Sequence, residues 1–194
     1  MKDSFLMCDS TEGDGKAEVV MDYVMSFSLR HAVDKYLIEK PMLCRYCRYM
    51  LGVLLDGLSI TDETKIESIE VWKEWQYMDL VAEAIVDNQK YALLIENKYY
   101  SKLRENQLVD YKRKFDEYYD NKDVYVSKEN RRYKLVTCHD EDKIEQFYGS
   151  EVKKTKEGNK EGFKILTFYD LLPNEDVYED TESEIFNEFW LRKW

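Results

Sequence analysis

The 194-residue chain has few of the residues that break regular structure: two prolines, Pro41 and Pro173, and seven glycines. Long helices and strands are therefore allowed over most of its length. No apolar run is long enough to span a bilayer. The first residues, Met1 to Asp9, lack the apolar centre of a secretory signal, so a cytoplasmic location without a membrane partner is expected. There is no glycine-rich phosphate loop and no Ser-His-Asp ordering. Cysteine is scarce: Cys8, Cys44, Cys47 and Cys138. Cys44 and Cys47 have the spacing of a metal or redox pair, but no second pair follows and the flanks read as helix. Two thiols on a helix face is the better reading. Cys138-His139 is no stronger by itself. Positive charge is also short, with 29 Lys and Arg against 40 Asp and Glu and a net charge of −11. That balance excludes a protein that coats DNA by bulk electrostatics. It leaves room for a local basic groove, or for a site where a bound cation supplies the positive charge.

What is present is a globular composition, 44% hydrophobic and 36% charged, at a length suited to one domain over 1–194. Residues 1–16 are polar and expected to be loose. Helical spacing then covers 18–56, broken at Pro41: Val20, Val24, Phe27 and Leu29 share a stripe that continues to Tyr36, and a second helix runs from Met42 to Leu55. Strands are expected at Ile66–Trp75, Met78–Val86 and Tyr91–Lys98, followed by a helix from Ser101 to Tyr119 with Leu103, Gln107, Tyr111 and Phe115 on one face. Two further strands are expected, Tyr133–Cys138 and Phe163–Tyr169, separated by a charged surface loop over 151–162. The tail 181–194 reads as an amphipathic helix burying Ile185, Phe186, Phe189, Trp190 and Trp194. A meander followed by a helical crossover predicts an α/β fold: a mixed sheet of about five strands flanked by helices.

The chemistry concentrates between Met78 and Tyr111. With the hairpin turn centred on Asn88-Gln89, Asp79 lies across from Lys98 and Val81 across from Glu96. Opposed residues share a face and side chains alternate, so Asp79, Glu96 and Lys98 project from one face at one end of the hairpin. Asp79 and Glu96 are then diagonal neighbours, roughly 7–8 Å apart between backbones, a gap that one divalent cation can bridge. Ala92, Leu94 and Val81 share the face, so the charges stand at the end of a buried surface, where they need partners or a metal. Oxygen ligands beside an amine suit Mg²⁺ or Mn²⁺ and phosphate chemistry; a structural ion-pair cluster is the competing reading.

Asp79 followed by Glu96-Asn97-Lys98 resembles the D-x(n)-(D/E)-x-K signature of the PD-(D/E)xK nuclease superfamily. The strand Leu93-Leu94-Ile95-Glu96-Asn97-Lys98 and the helix Gln107-Leu108-Val109-Asp110-Tyr111 resemble the branch with an I-E-N-K strand before a Q-L-x-x-Y helix. The Leu135-Val136-Thr137 strand and the Phe163–Tyr169 strand with Asp170-Leu171 extend the likeness over about 71–172. The proline of the family name is absent, since Met78 precedes Asp79. The resemblance implies a restriction-endonuclease-like core over about 66–172 and a Mg²⁺- or Mn²⁺-dependent hydrolase that cuts phosphodiester bonds, with DNA as partner. It implies that Asp79 and Glu96 bind the metal with the Asn97 carbonyl, and that Lys98 orients or deprotonates the attacking water. Gln107 and Tyr111 would position water or phosphate, with ordinary helix packing as the alternative. The branch also carries an acid on its first helix. Asp22 fits that place best and Glu18 is the competitor, one turn earlier, while a solvated charge is the plain alternative. Such nucleases often act as dimers on two strands, so a homodimer is open. The rival function is an inactive module on the same scaffold that binds nucleic acid or a protein. Lys112-Arg113-Lys114 and Lys153-Lys154-Thr155-Lys156 read as solvated faces, Glu74 and Glu83 as strand carboxylates that could lie near the site, and His31 as structural.

Overall fold

The computed structural model describes residues 4, 6, 14–156, 161–174 and 178–192. Five strands form one sheet in the order β1-β2-β3-β4-β5: β1 Ile66–Trp75, β2 Met78–Val86, β3 Gln89–Lys98, β4 Arg131–Thr137 and β5 Lys164–Thr167. The first three run as an antiparallel meander; β3, β4 and β5 are parallel. The crossover from β3 to β4 is α4, Gln107–Tyr119. The sheet is therefore mixed, as the pattern predicts. Its central strand β3 is buried from Tyr91 to Lys98, which explains the unbroken apolar run Ala92-Leu93-Leu94-Ile95.

Both hairpins turn on pairs of left-handed residues. Gln76 and Tyr77 link β1 to β2 with φ of 52° and 71°, and Asp87 and Asn88 link β2 to β3 with φ of 47° and 65°. Two-residue turns of this kind match the right-handed twist of the strands, and Asp and Asn accept positive φ at low cost. Val86 thus pairs with Gln89 and Leu80 with Ile95. This corrects the expected register. Centring the turn on Asp87-Asn88 slides the pairing by two residues, so Asp79 stands opposite Glu96 rather than Lys98. A two-residue slide preserves the face of every side chain.

The two sheet faces carry two apolar clusters. One packs α1 (Asp14–Arg30) and α3 (Pro41–Leu54), with Met25, Leu29, Leu51 and Leu54, against Leu80, Ala82, Leu93 and Ile95. The other packs α4, with Leu108, Tyr111 and Phe115, against Val81, Ala92 and Leu94. Pro41 starts α3 at the position where its missing N–H costs nothing. A four-residue helix, α2 (Tyr36–Glu39), precedes it. The expected first helix to Tyr36 ends at Arg30 instead and begins at Asp14, inside the stretch expected to be loose.

Three other expectations change. α4 begins at Gln107, not Ser101; Asn106 takes a left-handed φ of 57° just before it, and Leu103 lies outside the helix. The stretch 151–162 expected as loop opens in helix: α6 (Ser150–Lys154) buries Val152 and is reached from α5 (Glu141–Ile144) through the wide turn Glu145–Gly149, which buries Tyr148. The tail forms only α7 (Glu184–Phe186) and the wide turn Asn187–Leu191. Phe186, Phe189 and Trp190 are buried there, but Ile185 is exposed; Trp194 lies outside the described residues. No helix among the described residues is long and apolar enough to cross a membrane.

Candidate active site

The site forms where β2 begins and β3 ends, between α1 and α4. Alternation sends Glu96 and Lys98 toward the α4 side of the sheet and Asn97 toward α1. Glu96 and Asn97 are fully buried and Lys98 is 6% exposed. Lys98 Nζ lies 2.8 Å from Glu96 Oε1 and 3.6 Å from Glu18 Oε2 of α1, and donates to the Asn97 carbonyl at 3.2 Å. The Asn97 N–H donates to Asp79 Oδ2 at 2.9 Å, which fixes the Asp79 carboxylate at the mouth of the hairpin. On the other face the Asn97 side-chain amide donates to Asp22 Oδ1 at 2.7 Å. One short strand segment thereby ties the acids of β2, β3 and α1 into a single network.

From α4, Gln107 Nε2 donates to Glu96 Oε1, while its own oxygen accepts the Arg104 N–H at 3.0 Å. Gln107 is the first residue of α4, so a buried amide on the opening turn can reach the strand end. Tyr111, one turn on, is buried against the same cluster, and its hydroxyl accepts from Arg104 at 3.1 Å. Glu18 accepts from the Tyr99 N–H at 3.1 Å and from the Ser101 hydroxyl, which pins the segment after β3.

Three of the site's acids, Asp22, Asp79 and Glu96, are displaced the same way. Burial, and then the nearby Asp79 charge, pushes Asp22 up to about 7. Burial raises Asp79, and burial with the Asp79 charge raises Glu96 well above the carboxylate range. Burial works against the Lys98 ammonium, but Glu96 and Asp79 outweigh it and hold its pKa above the usual value. The network thus has more acid than one lysine can neutralise. Glu96 Oε2 and Asn97 Oδ1 are buried and find no hydrogen-bond partner among the described residues. Among those residues no three His, Cys, Asp or Glu side chains stand as a ready ligand set: Glu96 Oε1 is turned onto Lys98 and Gln107, and Asp79 Oδ2 onto Asn97. An excess of hard oxygen with an orphaned carboxylate atom nevertheless fits a divalent cation.

The structure brings together Asp79, Glu96, Asn97, Lys98, Gln107 and Asp22, with Tyr111 one step back. Sequence reasoning misses Ser101 and Arg104, which belong to no motif; the only clue to Arg104 is its place just before Gln107. Both first-helix acids reach the network, Asp22 through Asn97 and Glu18 through Lys98. Of the weaker candidates, Glu83 pairs with Lys90 at 2.7 Å and Glu74 is exposed on the rim of a groove of 680 Å³ beside Gln107 and Tyr111. Lys153 and Lys154 pair with Glu145 and Glu151 on a solvated face, whereas the Lys112–Asp116 pair is part-buried. His31 Nδ1 lies 2.8 Å from the Phe27 carbonyl, and Cys44 and Cys47 are free thiols buried on α3.

Comparison with curated proteins and with solved structures gave no significant match. A family model described as the PD-(D/E)XK nuclease superfamily matches residues 5–187. That span takes in the first helices, the whole sheet and α4, and the mixed five-stranded sheet flanked by helices agrees with the fold of such nucleases. The chain belongs to the PD-(D/E)XK nuclease superfamily.

Proposed function

We propose that the protein is a divalent-metal-dependent deoxyribonuclease whose centre is Asp79, Glu96 and Lys98. The observation that carries this reading is the acid excess: a fully buried Glu96 with an unpartnered oxygen, beside Asp79 and Asp22, all with raised pKa. Such a cluster destabilises the metal-free fold and gains a counter-charge when a cation binds. Asp79, Glu96 and the Asn97 carbonyl would hold Mg²⁺ or Mn²⁺, with Asp22 bracing Asn97 from α1 or joining the ligands. The bound ion supplies Lewis acidity and makes water a stronger acid.

The chain's own groups do the rest. Lys98, kept charged by its acidic neighbours, stands where it can orient the attacking water and offset charge growing on the phosphate. Gln107 holds Glu96 Oε1 in place from α4, and Arg104, linked to Tyr111, adds a cation at the rim for a substrate phosphate. The net charge of −11 favours the rival reading, a module that binds without cutting. An assay on mixed DNA and RNA substrates with Mg²⁺ and Mn²⁺ separates the two. Cleavage of DNA that stops in excess chelator and in Lys98→Ala supports the nuclease; undiminished cleavage in either condition, or no cleavage with either metal, refutes it.

A further inference from the structure

The sheet end that carries the acids also carries exposed aromatic rings just past the strand ends. The parallel ladder aligns Lys98 with Thr137 and Thr137 with Thr167. Two residues beyond this row come Tyr100, His139 and Tyr169. Tyr100 is 49% exposed and Tyr169 82% exposed. The Tyr100 ring is braced edge-on by Tyr99, 4.5 Å between centroids, and by His139 at 4.9 Å. His139 is itself buried and stacked on Phe147 at 4.3 Å and 13°. Beyond β2 on the other flank, Tyr77 projects from the β1–β2 turn at 81% exposure. The row across β2 to β5 covers three strand spacings, about 14 Å, which is room for a few unpaired nucleotides.

A ring braced as Tyr100 is loses little freedom when a base stacks on it, and stacking tolerates any base. Exposed rings also offer binding that does not depend on phosphate charge, which a chain of net charge −11 supplies poorly. A paired duplex buries its base faces and cannot use such a surface. We infer that Tyr100 and Tyr169 form a stacking platform beside the Asp79–Glu96–Lys98 cluster that selects unpaired DNA, an inference that rests on the nuclease reading for its choice of ligand.

The test is fluorescence anisotropy with the full chain in chelator, so that neither metal nor cleavage enters. The probes are a labelled single-stranded oligonucleotide, the same sequence as a duplex, and a strand of equal length without bases. The single strand should bind about tenfold tighter than either control. The double variant Tyr100→Leu/Tyr169→Leu should lose about tenfold on the single strand and nothing on the base-free strand. Tyr100→Trp/Tyr169→Trp keeps the rings and should retain the affinity. Equal binding of single strand and duplex, or an unchanged affinity in a leucine variant that melts like wild type, overturns the platform. Loss of affinity in the tryptophan variant as well overturns it too. Absence of metal-dependent cleavage would instead refute the nuclease reading, and leaves this binding result readable by itself.

Discussion

Two buried lysines sit in opposite kinds of charge cluster. Lys134 on β4 is 1% exposed and meets a single carboxylate, Asp56, which also pairs with Arg132 at 2.8 Å and Lys164 at 2.9 Å. Asp56 ends α3 in a left-handed conformation, φ 66°, with the Gly57 N–H returning to the Gly52 carbonyl at 2.9 Å. One acid held by three cations clamps the helix end to the sheet. Burial opposes its charge, yet the hydrogen bonds from Lys134 and Lys164 hold its pKa below the usual range. Lys98 meets the reverse, with Glu96, Asp79, Asp22 and Glu18 around one ammonium and the buried acids displaced upward. The Asp56 cluster holds its one acid ionised with a surplus of cations. A cluster left acid-rich costs stability, and that cost is explained when the missing charge belongs to a ligand.

The sharpest separation is expected from removing one carboxylate charge in each place. Glu96→Gln should lower cleavage about a thousandfold while leaving the metal-free melting temperature equal or higher. Asp56→Asn, which keeps a residue that tolerates positive φ, should lower stability by about 3 kcal/mol in urea unfolding, because Lys134 stays buried without a counter-charge. A Glu96→Gln variant that melts well below wild type would remove the distinction.

A smaller effect is expected at Gln107, whose amide donates to Glu96 and whose oxygen takes the Arg104 N–H. Gln107→Ala should weaken metal affinity or activity about ten- to a hundredfold, read as a shift in the Mn²⁺ concentration for half-maximal cleavage with little change in melting. The pH dependence of metal-free stability should then show two slopes. Asp22, with a folded pKa of about 7, and the raised Asp79 and Glu96 hold protons in the fold that the unfolded chain releases near its ordinary carboxylate range. The contribution of Asp22 to stability therefore falls as pH rises from about 4 to 7, and those of Asp79 and Glu96 fall with rising pH in the same sense. Asp56 works the other way, since its lowered pKa gives stability that is present above the unfolded value and lost as pH falls below it. Asp22→Asn should flatten the upper slope in thermal melts made in chelator, and a slope unchanged by that substitution would count against the cluster. The smallest effect is expected at the exposed pair of Arg113 and Glu117, where Arg113→Ala should change stability by less than about 0.5 kcal/mol.

The sequence made the sheet legible because its signals are local. β1 and β2 fall where the alternation puts them, and the apolar run of β3 marks a strand buried on both faces. The place of the turn is ambiguous in the sequence because Asp87-Asn88 and Asn88-Gln89 are both polar pairs, and only the positive φ at Asp87 and Asn88 decides between them. The site survives that ambiguity because a slide of two residues keeps Asp79 and Glu96 on one face. The start of α4 is blurred in the sequence because Leu103 continues the four-residue spacing into a segment that Asn106 separates from the helix. The helical stretch from α5 to α6 is hidden in the sequence because its charged composition masks the few residues it buries, Tyr148 in the wide turn and Val152 in α6. The reach of Glu18 and Asp22 to the end of β3 is set by how α1 packs across the sheet, and no local pattern encodes it.

The central claim is that the acid excess around Lys98 belongs to a divalent cation. Calorimetric titration of Mn²⁺ into the metal-free protein, wild type beside Asp79→Ala at pH 7.5, tests it most directly. Saturable binding near one ion per chain that disappears in Asp79→Ala is the predicted result. No binding in the wild type, or equal binding in the variant, would contradict it.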